Sequence, residues 1–66
     1  MKHIVLTNSE IEQRISENVH SDRDRRILRL RFIEGWTFER IAEAVEMSPR
    51  YLRALVRKLS DILKIS

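Results

Sequence analysis

The chain has no cysteine, one glycine and one proline in 66 residues, and aromatic residues make up only 6% of it. Without cysteine there is no disulfide framework and no thiolate metal site. A β-rich fold with many tight turns uses more glycine and proline than this sequence offers. There is also no apolar run long enough to cross a bilayer and no signal-peptide pattern, so we expect a helical protein in the cytoplasm, without a membrane partner.

Patterns that support enzyme chemistry are missing as well. His3 and His20 stand alone in the sequence, with no second ligand at a metal-binding spacing. No glycine-rich phosphate loop occurs, and no nucleophile stands in a recognisable pattern with a base. A chain of 66 residues also has little room to enclose a substrate pocket. We therefore expect no enzymatic activity, no metal and no cofactor.

Helix signals, in contrast, occur at four places in the sequence. Each signal is a Ser or Thr that can act as N-cap, followed by apolar residues at helical spacing, and the four caps are Thr7, Ser21, Thr37 and Ser48. The signals predict a small all-α, four-helix domain with helices at about residues 8–19, 22–34, 38–45 and 49–63. Residues 1–7 are predicted to form an N-terminal arm, and residues 8–66 a helix-turn-helix DNA-binding domain.

The last predicted helix has an apolar side and a basic side. At about 100° per residue, the apolar side carries Leu52, Leu55, Val56, Leu59, Ile62 and Leu63, and the opposite side carries Arg50, Arg53, Ala54, Arg57, Asp61 and Lys64. Residues 48–66 contain five cations and one anion, so the positive charge of the chain concentrates here. A solvated face is the ordinary explanation for such a helix, and the helix that precedes it favours a binding face instead.

That preceding helix is short, and about three residues separate it from the last one. Two capped helices this close together must cross at a steep angle, as they do in a helix-turn-helix. Trp36 and Ile41 stand at the two positions of a hydrophobic staple, and the small Ala42 leaves room for a crossing helix. In a DNA-binding helix-turn-helix, the second helix lies in the major groove.

Arg31 falls on the apolar side of the second predicted helix, between Ile27 and Leu28. A cation at such a position needs a partner or must extend to the rim of the core. Glu39 and Glu43 on the third helix are the candidate partners. We therefore expect the role of Arg31 to be structural.

Residues 23–63 resemble the fourth conserved region of bacterial sigma factors and, nearly as closely, the DNA-binding domain of LuxR/GerE-type response regulators. The residues that carry the resemblance are Leu28, Leu30, Arg31, Phe32, Gly35, Thr37, Ile41, Ala42, Val45, Ser48, Leu52 and Arg53. The resemblance implies a sequence-specific regulator of transcription that binds double-stranded DNA, with RNA polymerase as a further partner. The same module serves several biological roles, so the role itself stays open.

The resemblance also implies which side chains touch DNA. Bases would be read by the exposed residues early in the last helix, which are Pro49, Arg50, Tyr51, Arg53, Ala54 and Arg57. Phosphates would be bound at the two helix N-termini, by Thr37 and Ser48. Lys58 lies on the shoulder of the last helix, and from that position we expect it to contact phosphate too.

Two positions depart from the family pattern. Glu46 stands in the turn where the family usually has glycine, and a left-handed Glu costs on the order of 1 kcal/mol. Arg40 stands where the family usually has Glu, which removes the usual candidate partner of Arg31. The shape of the turn is therefore open at this point.

Two further expectations concern partners. A protein-interaction module is the alternative function: a polymerase-binding adaptor or an antitoxin-like regulator could use the same basic face against an acidic protein. The apolar residues near the chain ends exceed what one small domain is expected to cover, which predicts a homodimer through both ends. These residues are Ile4, Val5, Leu6, Ile11, Ile15, Val19, Ile62, Leu63 and Ile65.

Overall fold

The computed structural model describes residues 6–64, and in that range the chain forms four α-helices. They are α1 (Asn8–Asn18), α2 (Asp22–Phe32), α3 (Phe38–Val45) and α4 (Pro49–Leu63). This confirms the predicted all-α fold, and the bounds of α3 and α4 agree with the prediction. The predicted arm lies mostly outside the described residues. In the part of the chain that is described, none of the helices combines the length and apolarity needed to cross a membrane.

Each helix begins at the hydroxyl side chain that the sequence predicts as its cap. The side-chain oxygens of Thr7, Ser21, Thr37 and Ser48 each accept a hydrogen bond from the backbone N–H three residues further on. These bonds satisfy amides of the first turn that have no partner within the helix. At α1 the capping box is complete, because the N–H of Thr7 donates to Oε1 of Glu10 at 2.9 Å.

Two helix ends differ from the prediction. α1 ends at Asn18 rather than at residue 19, because Val19 has an extended backbone (φ −118°) while its side chain remains buried. α2 ends at Phe32 rather than at residue 34. There the N–H groups of Ile33 and Glu34 both donate to the carbonyl of Arg29, at 2.9 and 3.0 Å, which closes the helix early.

The core consists of two clusters of buried side chains. The first cluster joins α1 to α2 and to the end of α4, and contains Ile11, Ile15, Val19, Leu28 and Leu63. The second cluster lies where α2, α3 and α4 meet, and contains Ile27, Ile41, Ala42, Leu52 and Val56. Phe32 packs against both clusters. Since α1 packs on α2, α2 on α3, α3 on α4 and α4 on α1, the helices form a closed ring.

Arginine side chains close the ends of two helices. Nη1 of Arg14 donates to the carbonyls of Leu63 and Lys64 at the end of α4, at 3.0 and 3.1 Å. Arg25 donates in the same way to the carbonyls of Ser16 and Val19 at the end of α1. Carbonyls in a last turn have no partner within their own helix, so these guanidinium groups replace the missing donors.

Arg31 is structural, as expected, but both of its predicted partners are wrong. Its Nη1 donates to the backbone carbonyl of Trp36 at 3.0 Å, and its guanidinium carbon lies 4.2 Å from the centre of the Phe38 ring. A backbone carbonyl and an aromatic face therefore compensate this half-buried cation, where the sequence suggested a carboxylate from Glu39 or Glu43.

Candidate nucleic-acid interface

The outer face of α4 carries all six residues that the sequence predicts to read bases. Pro49, Arg50, Tyr51, Arg53, Ala54 and Arg57 are all exposed. The opposite side of the same helix is buried through Leu52, Val56, Ser60 and Leu63. Tyr51 is 58% exposed, so its ring is available for contact and contributes little to packing. The helix therefore presents one continuous face of three arginines, a tyrosine and two small residues.

The three predicted phosphate contacts are also exposed. The hydroxyl oxygens of Thr37 and Ser48 accept hydrogen bonds from the backbone N–H groups of Arg40 and Tyr51, each at 3.1 Å. A hydroxyl that accepts in this way still has its own hydrogen to donate. The N-terminus of a helix also carries partial positive charge, so both caps lie where an anion is favoured. Lys58 extends from the shoulder of α4 without an ion pair in residues 6–64.

The turn between α3 and α4 keeps a tight shape in spite of its Glu. Glu46 is left-handed (φ 58°, ψ 46°), and its N–H donates to the carbonyl of Ala42. The N–H of Met47 donates to the same carbonyl at 2.9 Å. This is the hydrogen-bonded helix ending that glycine normally provides. The protein therefore makes the turn at the expected cost of a left-handed backbone at a residue with a side chain.

Arg53 is held by α3. Its Nη2 lies 2.8 Å from Oε2 of Glu39, and its guanidinium carbon lies 5.5 Å from the centre of the Phe38 ring. This pair was not predicted from the sequence, where Glu39 was one of two candidate partners of Arg31. The signal was present, because the two opposite charges stand early in two helices that cross. Only the crossing geometry, however, shows which cation the carboxylate reaches.

The remaining cations of this surface differ in how they are held. Arg50 and Arg57 form no ion pair within the described residues. Arg40 lies in the first turn of α3 with its guanidinium carbon 4.2 Å from the centre of the Trp36 ring. It is exposed, one turn from the Thr37 cap, and it is not among the site residues predicted from the sequence. Its charge adds to the positive potential at the N-terminus of α3.

Comparison with known families identifies the kind of helix-turn-helix that the chain matches. The family model for sigma-70, region 4, matches residues 21–64. The chain belongs to the sigma-70 region 4 family. The match confirms the predicted resemblance to region 4, and the family is a helix-turn-helix DNA-binding region. No curated protein and no solved structure matches the chain.

The match covers α2, α3 and α4 of this region 4 domain and every residue predicted to touch DNA. α1 precedes the matched segment, yet it supplies Ile11 and Ile15 to the first cluster and Arg14 to the end of α4. Within residues 6–64, no group of His, Cys, Asp or Glu side chains is arranged to hold a metal ion. His20 is exposed, and His3 lies outside the described residues.

Proposed function

We propose that this domain is a sequence-specific regulator of transcription that places α4 in the major groove of double-stranded DNA, in the cytoplasm. The observation that carries the proposal is the exposed basic face of α4, placed directly after a capped α3 in a region 4 fold. An α-helix fits the major groove of B-DNA, where each base pair presents a distinct set of donors and acceptors.

The proposed roles follow from position along α4. Arg50 and Arg53 project from the first two turns, where a helix entering the groove reaches base edges, and arginine suits bidentate bonding to guanine. Pro49 and Ala54 are small enough for close approach, and Tyr51 and Arg57 complete the base-reading set. Thr37, Ser48 and Lys58 would bind phosphates and fix the register of the helix on the duplex.

Binding by two variants tests this division of roles. Arg50→Ala should lose about 1–3 kcal/mol on the preferred duplex and relax the base preference at one position. Lys58→Ala should weaken binding to preferred and scrambled duplexes alike and reduce the magnitude of the salt slope by about one. The preferred duplex is first selected from a random pool, and dissociation constants are then measured at several salt concentrations.

Arg23→Ala is the matched control, since it removes an exposed arginine from the first turn of α2 and not from α4. It should change binding less than either α4 variant. A wild-type protein that binds no duplex even at low salt would contradict the proposal. If Arg50→Ala also weakened both duplexes equally, α4 would bind DNA only through its charge, without reading sequence.

A protein-binding role is the second candidate, as a polymerase-binding adaptor or an antitoxin-like regulator that uses the same basic face. It is favoured by the two large exposed apolar side chains of α4, Tyr51 and Ile62, which are 58% and 54% exposed. They stand at helical spacing on one edge of the basic face, next to Lys58. A pure protein binder should show little affinity for arbitrary duplex DNA at low salt, and DNA titration therefore separates the two functions.

We also propose that the protein forms a homodimer through its chain ends. The support is narrower than the sequence suggests, because the apolar stripe of α1 and Leu63 cover each other in the first cluster. Ile62 remains as an exposed apolar residue near the end of α4, and residues 1–5, 65 and 66 lie outside the described range. Sedimentation at high micromolar concentration should give a dimer, and Ile62→Glu should give a monomer. Half-sites would then lie roughly 34 Å apart.

A further inference from the structure

We propose that Glu39 determines part of the sequence preference of this domain by positioning Arg53 for one base; this inference rests on the proposed function. Glu39 itself lies on α3, outside the helix that enters the groove. It would act through the side chain that it holds, and its removal should lower the discrimination between bases without removing any direct contact to DNA.

The pair connects the first turns of two crossing helices. Glu39 is in the first turn of α3, where the helix dipole favours its negative charge. Arg53 lies about one turn into α4, and the two side chains meet at 2.8 Å between Nη2 and Oε2. The contact joins residues 14 apart in sequence, across the turn of the helix-turn-helix. It therefore links the Arg53 head to α3 as well as to its own backbone, while both side chains stay largely exposed.

Phe38 provides a second support for the same guanidinium. Its ring lies 5.5 Å from the guanidinium carbon of Arg53 and 4.2 Å from that of Arg31. Arg31 is itself anchored, because it donates to the carbonyl of Trp36 at 3.0 Å. The ring is thus held against an anchored cation, and the Arg53 guanidinium lies near both this ring and the carboxylate of Glu39. Two neighbouring residues of α3 define where the Arg53 head lies.

The pair leaves the donors that base reading needs. A guanidinium carries five N–H donors, and Glu39 takes one hydrogen of Nη2. Nη1 and the other Nη2 hydrogen remain for the two acceptors of a guanine edge. A long exposed side chain normally loses rotamer freedom when it binds, and a head held in advance loses less. Arg53 would therefore discriminate between bases more sharply when Glu39 holds it than when it moves alone.

Competition is the opposite role for Glu39. A carboxylate that only withheld Arg53 from DNA, or only repelled phosphates, would weaken binding to every duplex by a similar factor. Its removal would then strengthen all binding and leave the order of preferred bases unchanged. The two roles differ in base discrimination, which is the ratio of affinities for preferred and single-base-changed duplexes.

Glu39→Gln is the decisive variant, because it keeps the size of the side chain and removes the charge. We expect discrimination at one base pair to fall by about two- to fivefold, the size expected from loss of an exposed ion pair. Affinity for scrambled duplex should not fall, since a negative charge is removed. Glu43→Gln is the control: it removes the same charge one turn further along α3, and Glu43 has no ion pair within residues 6–64.

The dependence on Arg53 is tested in the Arg53→Ala background, where Glu39→Gln should change discrimination no further. Unchanged discrimination in the single variant, or an equal loss in the Arg53→Ala background, would overturn the inference while sequence-specific binding by the wild type stood. A loss as large in Glu43→Gln would overturn it too. Absence of DNA binding by the wild type would instead overturn the proposed function, and this inference with it.

Discussion

Five arginine side chains of this domain show two different uses of a guanidinium group. Arg14, Arg25 and Arg31 donate to backbone carbonyls, so their charge is used inside the fold. Arg50 and Arg57 extend outward from α4. The planar guanidinium suits both tasks because its donors form a fixed fork, which lysine lacks. The net charge of +3 is a sum over the whole chain, so it does not show that the positive charge available to DNA is concentrated on α4.

At Glu46, a change to glycine should stabilise the protein. The left-handed backbone (φ 58°) costs Glu about 1 kcal/mol, and glycine avoids that cost but gains entropy in the unfolded chain. We expect Glu46→Gly to raise the free energy of unfolding by up to about 1 kcal/mol and the melting temperature by a few degrees. Glu46→Val should lower both, since a β-branched residue is strained there. A lower melting temperature for the Gly variant would contradict this explanation of the turn.

The capping box of α1 should make stability depend on acid pH. Hydrogen bonds from Thr7 hold the pKa of Glu10 below its usual value of 4.5. The larger effect comes from the backbone N–H of Thr7 and the smaller one from its side chain. A lowered carboxyl pKa contributes stability that is present above the unfolded value and is lost as pH falls through the folded value. We therefore expect thermal stability to drop as the pH falls below 4.5.

NMR titration of the Glu10 carboxyl checks this directly. In Thr7→Ala the side-chain bond is removed, so the pKa of Glu10 should move back toward 4.5. Thermal unfolding of Glu10→Gln should lose the corresponding part of the pH dependence. A Glu10 that titrates identically in the wild type and in Thr7→Ala would show that the Thr7 side chain does not stabilise the charged form.

At the scale of the element, the end of α4 depends on a side chain from α1. Arg14→Ala removes the donors to the carbonyls of Leu63 and Lys64. We expect a loss of about 1–2 kcal/mol, since these bonds involve a charged donor but are partly solvated. Amide hydrogen exchange should become faster in the last turn of α4 and stay unchanged in its first turn. Gln13→Ala, at the neighbouring exposed position of α1, should alter neither.

Helix starts could be predicted from the sequence, whereas two helix ends could not. Thr7, Ser21, Thr37 and Ser48 are local signals, because each cap bonds to an amide three residues away. The end of α2 follows from backbone bonds of Ile33 and Glu34 to the Arg29 carbonyl, which no pattern of residue types indicated, and the end of α1 is set by a tertiary contact. Val19 continues the apolar spacing of α1 and yet leaves the helix, because its extended backbone keeps its side chain in the first cluster.

The candidate site, too, could be predicted from the sequence only in part. Exposure of the nine predicted residues follows from helical spacing and capping, which the sequence contains. The contacts of Arg31 and Arg53 could not be derived, since both require the angle at which α3 crosses its neighbours. Spacing alone made Glu39 and Glu43 equal candidates for Arg31, whereas in the fold Glu39 reaches Arg53.

At the scale of the whole molecule, the family segment is not expected to fold alone. Residues 21–64 match the family, but Leu28 and Leu63 are buried in a cluster that α1 completes with Ile11 and Ile15. A chain that begins at residue 21 would expose this cluster and leave the end of α4 without Arg14. We expect such a fragment to lose its cooperative thermal transition and to bind a hydrophobic dye, whereas the full chain should melt cooperatively. A fragment that melts like the full chain would show that α1 is dispensable.

The closed ring of helices also has a mechanical consequence for recognition. α4 is fixed near its front by Leu52 and Val56 in the second cluster and at its rear by Leu63 in the first. Because α4 is packed at two separated points, the direction of its axis is fixed relative to the Thr37 cap. Under the proposed function, a duplex that receives α4 would have to adjust to this fixed direction through its own groove width and curvature. Flexible pyrimidine–purine steps beside the contacted bases would then strengthen binding at positions that no side chain touches.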